Sequence, residues 1–144
     1  MAETKEITGF EVKIIQEDGN VIDLGESVIK SIRFKIDTVE EDVKDRSDNV
    51  INKVEVKGSI TPESKKETRK LALWSLDKMR SKVYRKASLI IREGGEVLRT
   101  YEMDKVFCID YIETFQSGSG NKGEFELIVA QRKDDLDGIQ IGSE

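Results

Sequence analysis

Chemistry in a protein begins with side chains that can take a proton, attack a carbon or hold a metal, and this sequence supplies an uneven set. It has 29 Asp and Glu, 24 Lys and Arg, a single cysteine and no histidine. Without an imidazole, the Ser-His-Asp and Cys-His routes to an activated nucleophile cannot be built, and the usual zinc sites lack their ligands. Carboxylate pairs could still serve as acid and base, but that chemistry needs two carboxyls held at a defined separation in a cleft. No spacing in the sequence marks such a pair. Cys108 lies within "KVFCIDYI" among apolar neighbours and reads as a small core hydrophobe rather than a nucleophile. Gly94-Gly95 would cradle a phosphate only if a helix began directly after it. The flanks alternate like strands instead, so the pair reads as a hairpin turn. The expectation is a protein that is not an enzyme and uses no cofactor and no metal.

Charge recognition is the remaining chemistry. Residues 65–92 contain ten Lys and Arg against Glu67 and Asp77, a net of +8, in a chain whose total is −5. Such a segment could bind nucleic-acid phosphates, and a β-barrel is a common platform for doing so. The chain as a whole is acidic, however, and Trp74 and Tyr84 are too few to form the aromatic ladder on which single-stranded bases stack. The alternative is that the basic segment meets an acidic face of a neighbouring subunit, which so asymmetric a chain favours. An internal ligand carrier of lipocalin type shares the barrel but needs a cavity lined by aromatic and apolar side chains. The nine aromatics here are mostly claimed by the core.

The elements that must carry these charges can be read from patterning. With 144 residues, 37% of them apolar, residues 1–144 make one domain with one core. The start, "MAETKEITGF", has no apolar h-region and no run is long enough to span a bilayer, so the expectation is a cytoplasmic start and no membrane partner. Phe10, Val12 and Ile14 alternate, turn at Asp18-Gly19-Asn20, and return through Val21, Ile22 and Leu24. Ile32, Phe34 and Ile36 alternate against Arg33, Lys35 and Asp37, and Val54 and Val56 repeat the pattern. Between these strands lies "EEDVKDRSDN", residues 40–49, in which seven of ten residues are charged. It reads as a protruding loop.

Thr61-Pro62-Glu63 has the N-cap, first-turn proline and early acid of a helix start, so the pattern predicts a helix over about 62–80. Leu73, Leu76 and Met79, with Leu71 and Ala72 beside them, form its expected apolar side, with Trp74 capping the packing. Lys65, Lys66, Arg69 and Lys70 take the solvent side. Four strands are expected afterwards. Two are joined at Gly94-Gly95, and two, over 105–116 and 123–132, by "SGSGNK", residues 117–122. Val106, Cys108, Asp110 and Ile112 are expected on one face of the third, with Phe107, Ile109 and Tyr111 on the other. The tail, with Leu136, Ile139 and Ile141, is flexible or orders against a neighbour.

Eight strands and one helix cannot make a parallel sheet, because the crossover helices are missing. The fold class is therefore mainly β: a small antiparallel β-barrel of two packed sheets with one flanking α-helix. Tyr101, Met103 and Val106 form a "Y-x-M/L-x-x-V" strand, and Gly118, Gly120, Glu124 and Ile128 mark a Gly/Ser-rich loop and the strand that follows it. In these motifs and in element order, over roughly 28–132, the sequence resembles the tube proteins of contractile injection machines, the group of phage tail-tube proteins and the haemolysin-coregulated (Hcp) protein of type VI secretion.

The resemblance implies a tile. Six copies close into a ring, and rings stack into a tube that a sheath drives into a target. Partners would be further copies of the chain, sheath and baseplate proteins and effector cargo in the lumen, with nucleic acid only as a phage genome passing through. The protein would assemble in the cytoplasm and become part of a virion or particle, exported on contraction. Candidate subunit contacts are Glu40, Glu41, Asp42, Val43, Lys44, Asp45 and Arg46 in the charged loop, Lys65, Lys66, Arg69 and Lys70 on the helix, and Ser117, Gly118, Ser119, Gly120, Asn121 and Lys122 in the hairpin connection. A baseplate or adaptor ring of the same fold is the alternative assembly reading.

Overall fold

The computed structural model describes residues 7–38, 50–77, 83–118, 122–131 and 138–143. The loop over 40–49, the helix end over 78–80, and Ser119, Gly120 and Asn121 lie outside the described residues. Among the described residues, eight strands and one helix follow in the order β1 (Ile7–Ile15), β2 (Val21–Leu24), β3 (Ile29–Thr38), β4 (Val50–Ile60), α1 (Lys65–Ser75), β5 (Arg85–Glu93), β6 (Glu96–Gln116), β7 (Lys122–Gln131) and β8 (Ile139–Gly142). All pairings are antiparallel. The mainly β architecture with one helix is as the sequence predicts. The strand count agrees only by compensation: the runs at 96–103 and 105–116 are one strand of 21 residues, and the tail supplies the eighth.

The path of the sheet is β2-β1-β5-β6-β7-β4-β3, with β8 beside β6. The long β6 belongs to two halves. Its first part pairs with β5 and β8, and its second part, from Val106 onward, pairs with β7. The halves fold over one core, and across it Phe34 of β3 stacks on Tyr101 of β6 with ring centroids 4.5 Å apart. These are the two packed sheets of the expected fold. Closure into a barrel, which a ladder between β2 and β3 would complete, is not detected among the described residues.

Two β-bulges let β6 serve both halves. Met103 and Val106 both face the core although three residues apart, because Lys105 takes a left-handed conformation (φ 54°) and one residue is inserted opposite β5. A second insertion, between Cys108 and Asp110, again switches the face, so Cys108 and Tyr111 point inward and Asp110 and Ile112 outward. The simple alternation expected along 106–112 is therefore wrong beyond Cys108. A bulge is invisible to period-two reading.

The first bulge leaves the carbonyl of Asp104 to be satisfied elsewhere. Gln131, fully buried, donates its amide to that oxygen at 2.9 Å and accepts from Nδ2 of Asn52 at 3.1 Å. The two amides and the carbonyl form a buried polar chain linking β4, β7 and the bend of β6, and it disfavours any slip in register.

The helix is shorter than predicted and shows another face to the core. Thr61 Oγ1 accepts the N–H of Ser64 at 3.2 Å and Ser64 Oγ accepts the N–H of Thr61 at 2.9 Å, so residues 61–64 form a hydrogen-bonded turn, and the N-cap is Ser64 rather than the expected Thr61, with regular helix beginning at Lys65. It ends at Ser75, where the amides of Leu76 and Asp77 close onto the carbonyls of Leu73 and Trp74. The buried stripe is Thr68, Leu71 and Trp74, while Leu73 is 48% and Leu76 72% exposed. Trp74 is central rather than peripheral: it is buried, and its indole N–H donates to the carbonyl of Val83 at 3.0 Å. Of the expected apolar side, Leu71 is buried, Leu73 and Leu76 are exposed, and Met79 lies outside the described residues.

Candidate assembly interface

No group of three or more metal-ligating side chains occurs among the described residues. What the geometry offers instead is strand edges. In the half-sheet β6-β7-β4-β3, no strand pairs with the outer edge of β3 among the described residues. At the other end, β5 accompanies β6 only as far as Val106, so the edge of residues 107–116 likewise has no strand beside it. The two open edges are each about ten residues long and lie at opposite ends of a four-stranded antiparallel run. Such edges are templates for pairing with another chain.

The edge of β2 is treated differently. Glu67 of α1 accepts the main-chain N–H of Asp23 at 3.0 Å and pairs with Lys70 at 2.9 Å, which ties the helix to β2 and blunts that edge. Burial pushes the Glu67 carboxyl up, but the hydrogen bonds from Lys70 and Asp23 and the charges of Lys70 and Lys66 outweigh it, so its pKa lies below the ordinary value. Tyr111 ties the other side of the helix, donating to the carbonyl of Thr68 at 3.3 Å. Burial, then the charge of Glu113, raises its phenol pKa.

Among the described residues of the basic segment, four of the seven cations are paired with acids. Lys65, Lys66 and Arg69 are exposed on α1, as the sequence indicates. Lys70 is held by Glu67, Arg85 by Asp77 at 3.4 Å, Lys86 by Glu102 at 3.9 Å and Arg92 by Glu11 at 3.0 Å. Arg85 also sits over the Trp74 ring, 5.3 Å from its centroid. With Trp74 buried and Tyr84 packed edge-on against Phe107, neither aromatic of this segment offers a platform for bases.

Ser117 and Gly118 are exposed at the end of β6, Gly118 with φ 110°, and Lys122 opens β7. Residues 113–118, the last of β6 and the two that follow it, are all exposed. Of the expected contacts, Lys65, Lys66, Arg69, Ser117 and Gly118 are exposed and Lys70 is half-buried beside Glu67, while residues 40–46 and 119–121 lie outside the described residues. Sequence reading missed the open edges of β3 and β6 and the exposed apolar side chains Ile36, Leu73 and Leu76. Edges are a property of sheet order, and only the excess of apolar residues on α1 hinted at them.

No family model and no curated protein sequence matches the chain. Solved structures do. A chain from the sheath–tube complex of an extracellular contractile injection system, PVC, in its extended state superposes with a TM-score of 0.59 at 12% identity, covering 100% of this chain and 95% of that one. Hcp1 from Flavobacterium johnsoniae gives 0.59 at 11% identity over 94% and 95%. A chain from the anti-feeding prophage baseplate gives 0.52 at 11% identity over 99% and 98%. At such identities the likeness lies in the backbone arrangement: the chain carries the Hcp-like tube fold.

Proposed function

We propose that this chain is a ring-forming structural subunit of the inner tube of a contractile injection machine. The observation that carries the reading is the pair of open edges at the two ends of β6-β7-β4-β3. An even number of antiparallel strands leaves β3 running opposite to β6, so a second copy can add its β3 to the open edge of β6 with antiparallel pairing preserved. Each addition exposes the same edge again. The contact is heterologous and self-propagating, and it closes into a ring wherever the rotation per copy divides a full turn. Six copies, as the resemblance to Hcp-like proteins implies, would join 24 strands, four from each copy, into one wall.

We assign the stacking of such rings to charged and polar segments outside the paired edges: residues 40–49, the exposed Lys65, Lys66 and Arg69 with Lys70 beside them, and residues 117–122. Sheath, baseplate and cargo contacts belong to the same reading, as does a life begun in the cytoplasm and completed in a particle. A baseplate ring is the second reading, favoured by the likeness to the anti-feeding prophage baseplate chain. Negative-stain images of the purified protein, with light scattering, test both. Rings that stack into tubes of unlimited length support the tube subunit, single rings that never stack support the baseplate reading, and a monomer at every salt and concentration removes both.

A further inference from the structure

The ends of the two open edges carry apolar side chains that a single copy leaves uncovered. Ile36 is 52% exposed although its register partner Asn52 is buried, so it extends the core-facing stripe of Ile32 and Phe34 past the end of the core. Ile36, Asn52, Gln131, Val106 and Arg85 form one transverse row across β3, β4, β7, β6 and β5. Beyond Val106 the edge of β6 opens. Beside that point lies a groove of about 250 Å³ bordered by Arg85 and walled by Val21, Leu73, Trp74 and Asp77. Leu73 is 48% exposed, and Leu76, three residues along, 72%.

A β3 strand added to residues 107–116 runs antiparallel to β6, so its later part, which carries Ile36, arrives at the Val106 end next to the groove. We infer that Ile36 of one copy packs into this groove of the next, against Leu73 and Leu76. The occupant is a second copy because groove and insert sit at matching ends of two edges of equal length, and strand addition brings one to the other. This inference rests on the ring reading and supplies what strand pairing alone lacks. Main-chain hydrogen bonds are indifferent to sequence, whereas an isoleucine seated at one end fixes the register and excludes other edges.

The test is a charge swap. Ile36→Glu and Leu73→Lys, each alone, should raise the concentration at which rings half-dissociate by about tenfold or more. Both in one chain should recover most of that loss, because every joint then carries one of each charge. All three positions are exposed, so the melting curve of each variant should stay near that of the parent. A second measurement does not depend on charge: in a Cys108→Ala background, Ile36→Cys with Leu76→Cys should give inter-chain disulfides up to closed multimers on oxidation. Wild-type rings alongside single variants that assemble equally well, or alongside no cross-links, would overturn the contact and leave the ring reading standing. A wild type that never forms rings overturns the ring reading and this contact together.

Discussion

Gln131 shows how one side chain can hold a strand irregularity in place. Replacing it with Leu keeps the volume but strands the Asp104 carbonyl and the Asn52 amide in the interior, and should cost about 2–3 kcal/mol in urea unfolding. Cys108 is the opposite case. It is a free, half-buried thiol against the core, and burial, helped by the Asp110 charge, pushes its pKa up to about 11. Cys108→Ala should fold and assemble with a loss on the order of 1 kcal/mol. The folded state holds this proton more tightly than the unfolded chain, whose thiol titrates near 9.0. The contribution is therefore complete below pH 9 and is lost as pH rises through 11. Alkylation should stay slow at pH 8 in the native protein, and rapid labelling there would show the site to be open.

At the scale of elements, close approaches decide which substitutions are tolerated. A Cβ on Gly58 would lie 2.5 Å from the Val28 carbonyl oxygen and 2.5 Å from the Phe125 ring, both part of the packed junction between β3, β4 and β7. Gly58→Ala should therefore lower stability by about 2 kcal/mol or more in thermal melts. Gly19, with φ 94° and open space around it, should respond only to backbone strain, by about 1 kcal/mol. The helix hangs on Glu67. Glu67→Gln keeps the shape but removes the charge that Lys70 and the Asp23 amide stabilise, so faster exchange of the Asp23 amide is expected. Because its pKa is lowered in the folded state, the carboxylate contributes stability above pH 4.5, and that share is lost on acidification below it.

For the whole molecule, the proposed assembly joins two kinds of contact with different sensitivity to salt. Strand addition and apolar seating are little screened, whereas contacts through exposed Lys65, Lys66 and Arg69 weaken as the Debye length falls from about 10 Å at 0.1 M to about 3 Å at 1 M. Raising salt should separate stacked rings before it opens them, which sedimentation velocity would resolve. Reversing Lys65, Lys66, Arg69 and Lys70 to Glu should weaken stacking or ring closure without unfolding the domain, with the Lys70 change also losing the Glu67 pair and lowering stability. Rings that open at lower salt than stacks part would place the ionic contacts inside the ring instead.

The sequence by itself determined most of the strands and the turns at Gly19 and Gly94-Gly95, because alternation and Gly-rich turns are local, but not that 96–116 is one strand or that the tail adds another. Gly94 and Gly95 both take positive φ in the tight link between β5 and β6, as the "EGGE" spacing implies. It also determined the class of fold, since eight strands with one helix leave few arrangements, and it excluded histidine chemistry outright. Three things belong to tertiary structure alone. The bulges at Lys105 and after Cys108 reassign the inward face of β6, and they exist because one strand must serve two half-sheets. The buried face of α1 is chosen by the space beneath Trp74, which no helical period contains. The open edges, on which the proposed function rests, follow from which strands find partners, and a strand's own residues read the same whether its neighbour is its own chain or another copy.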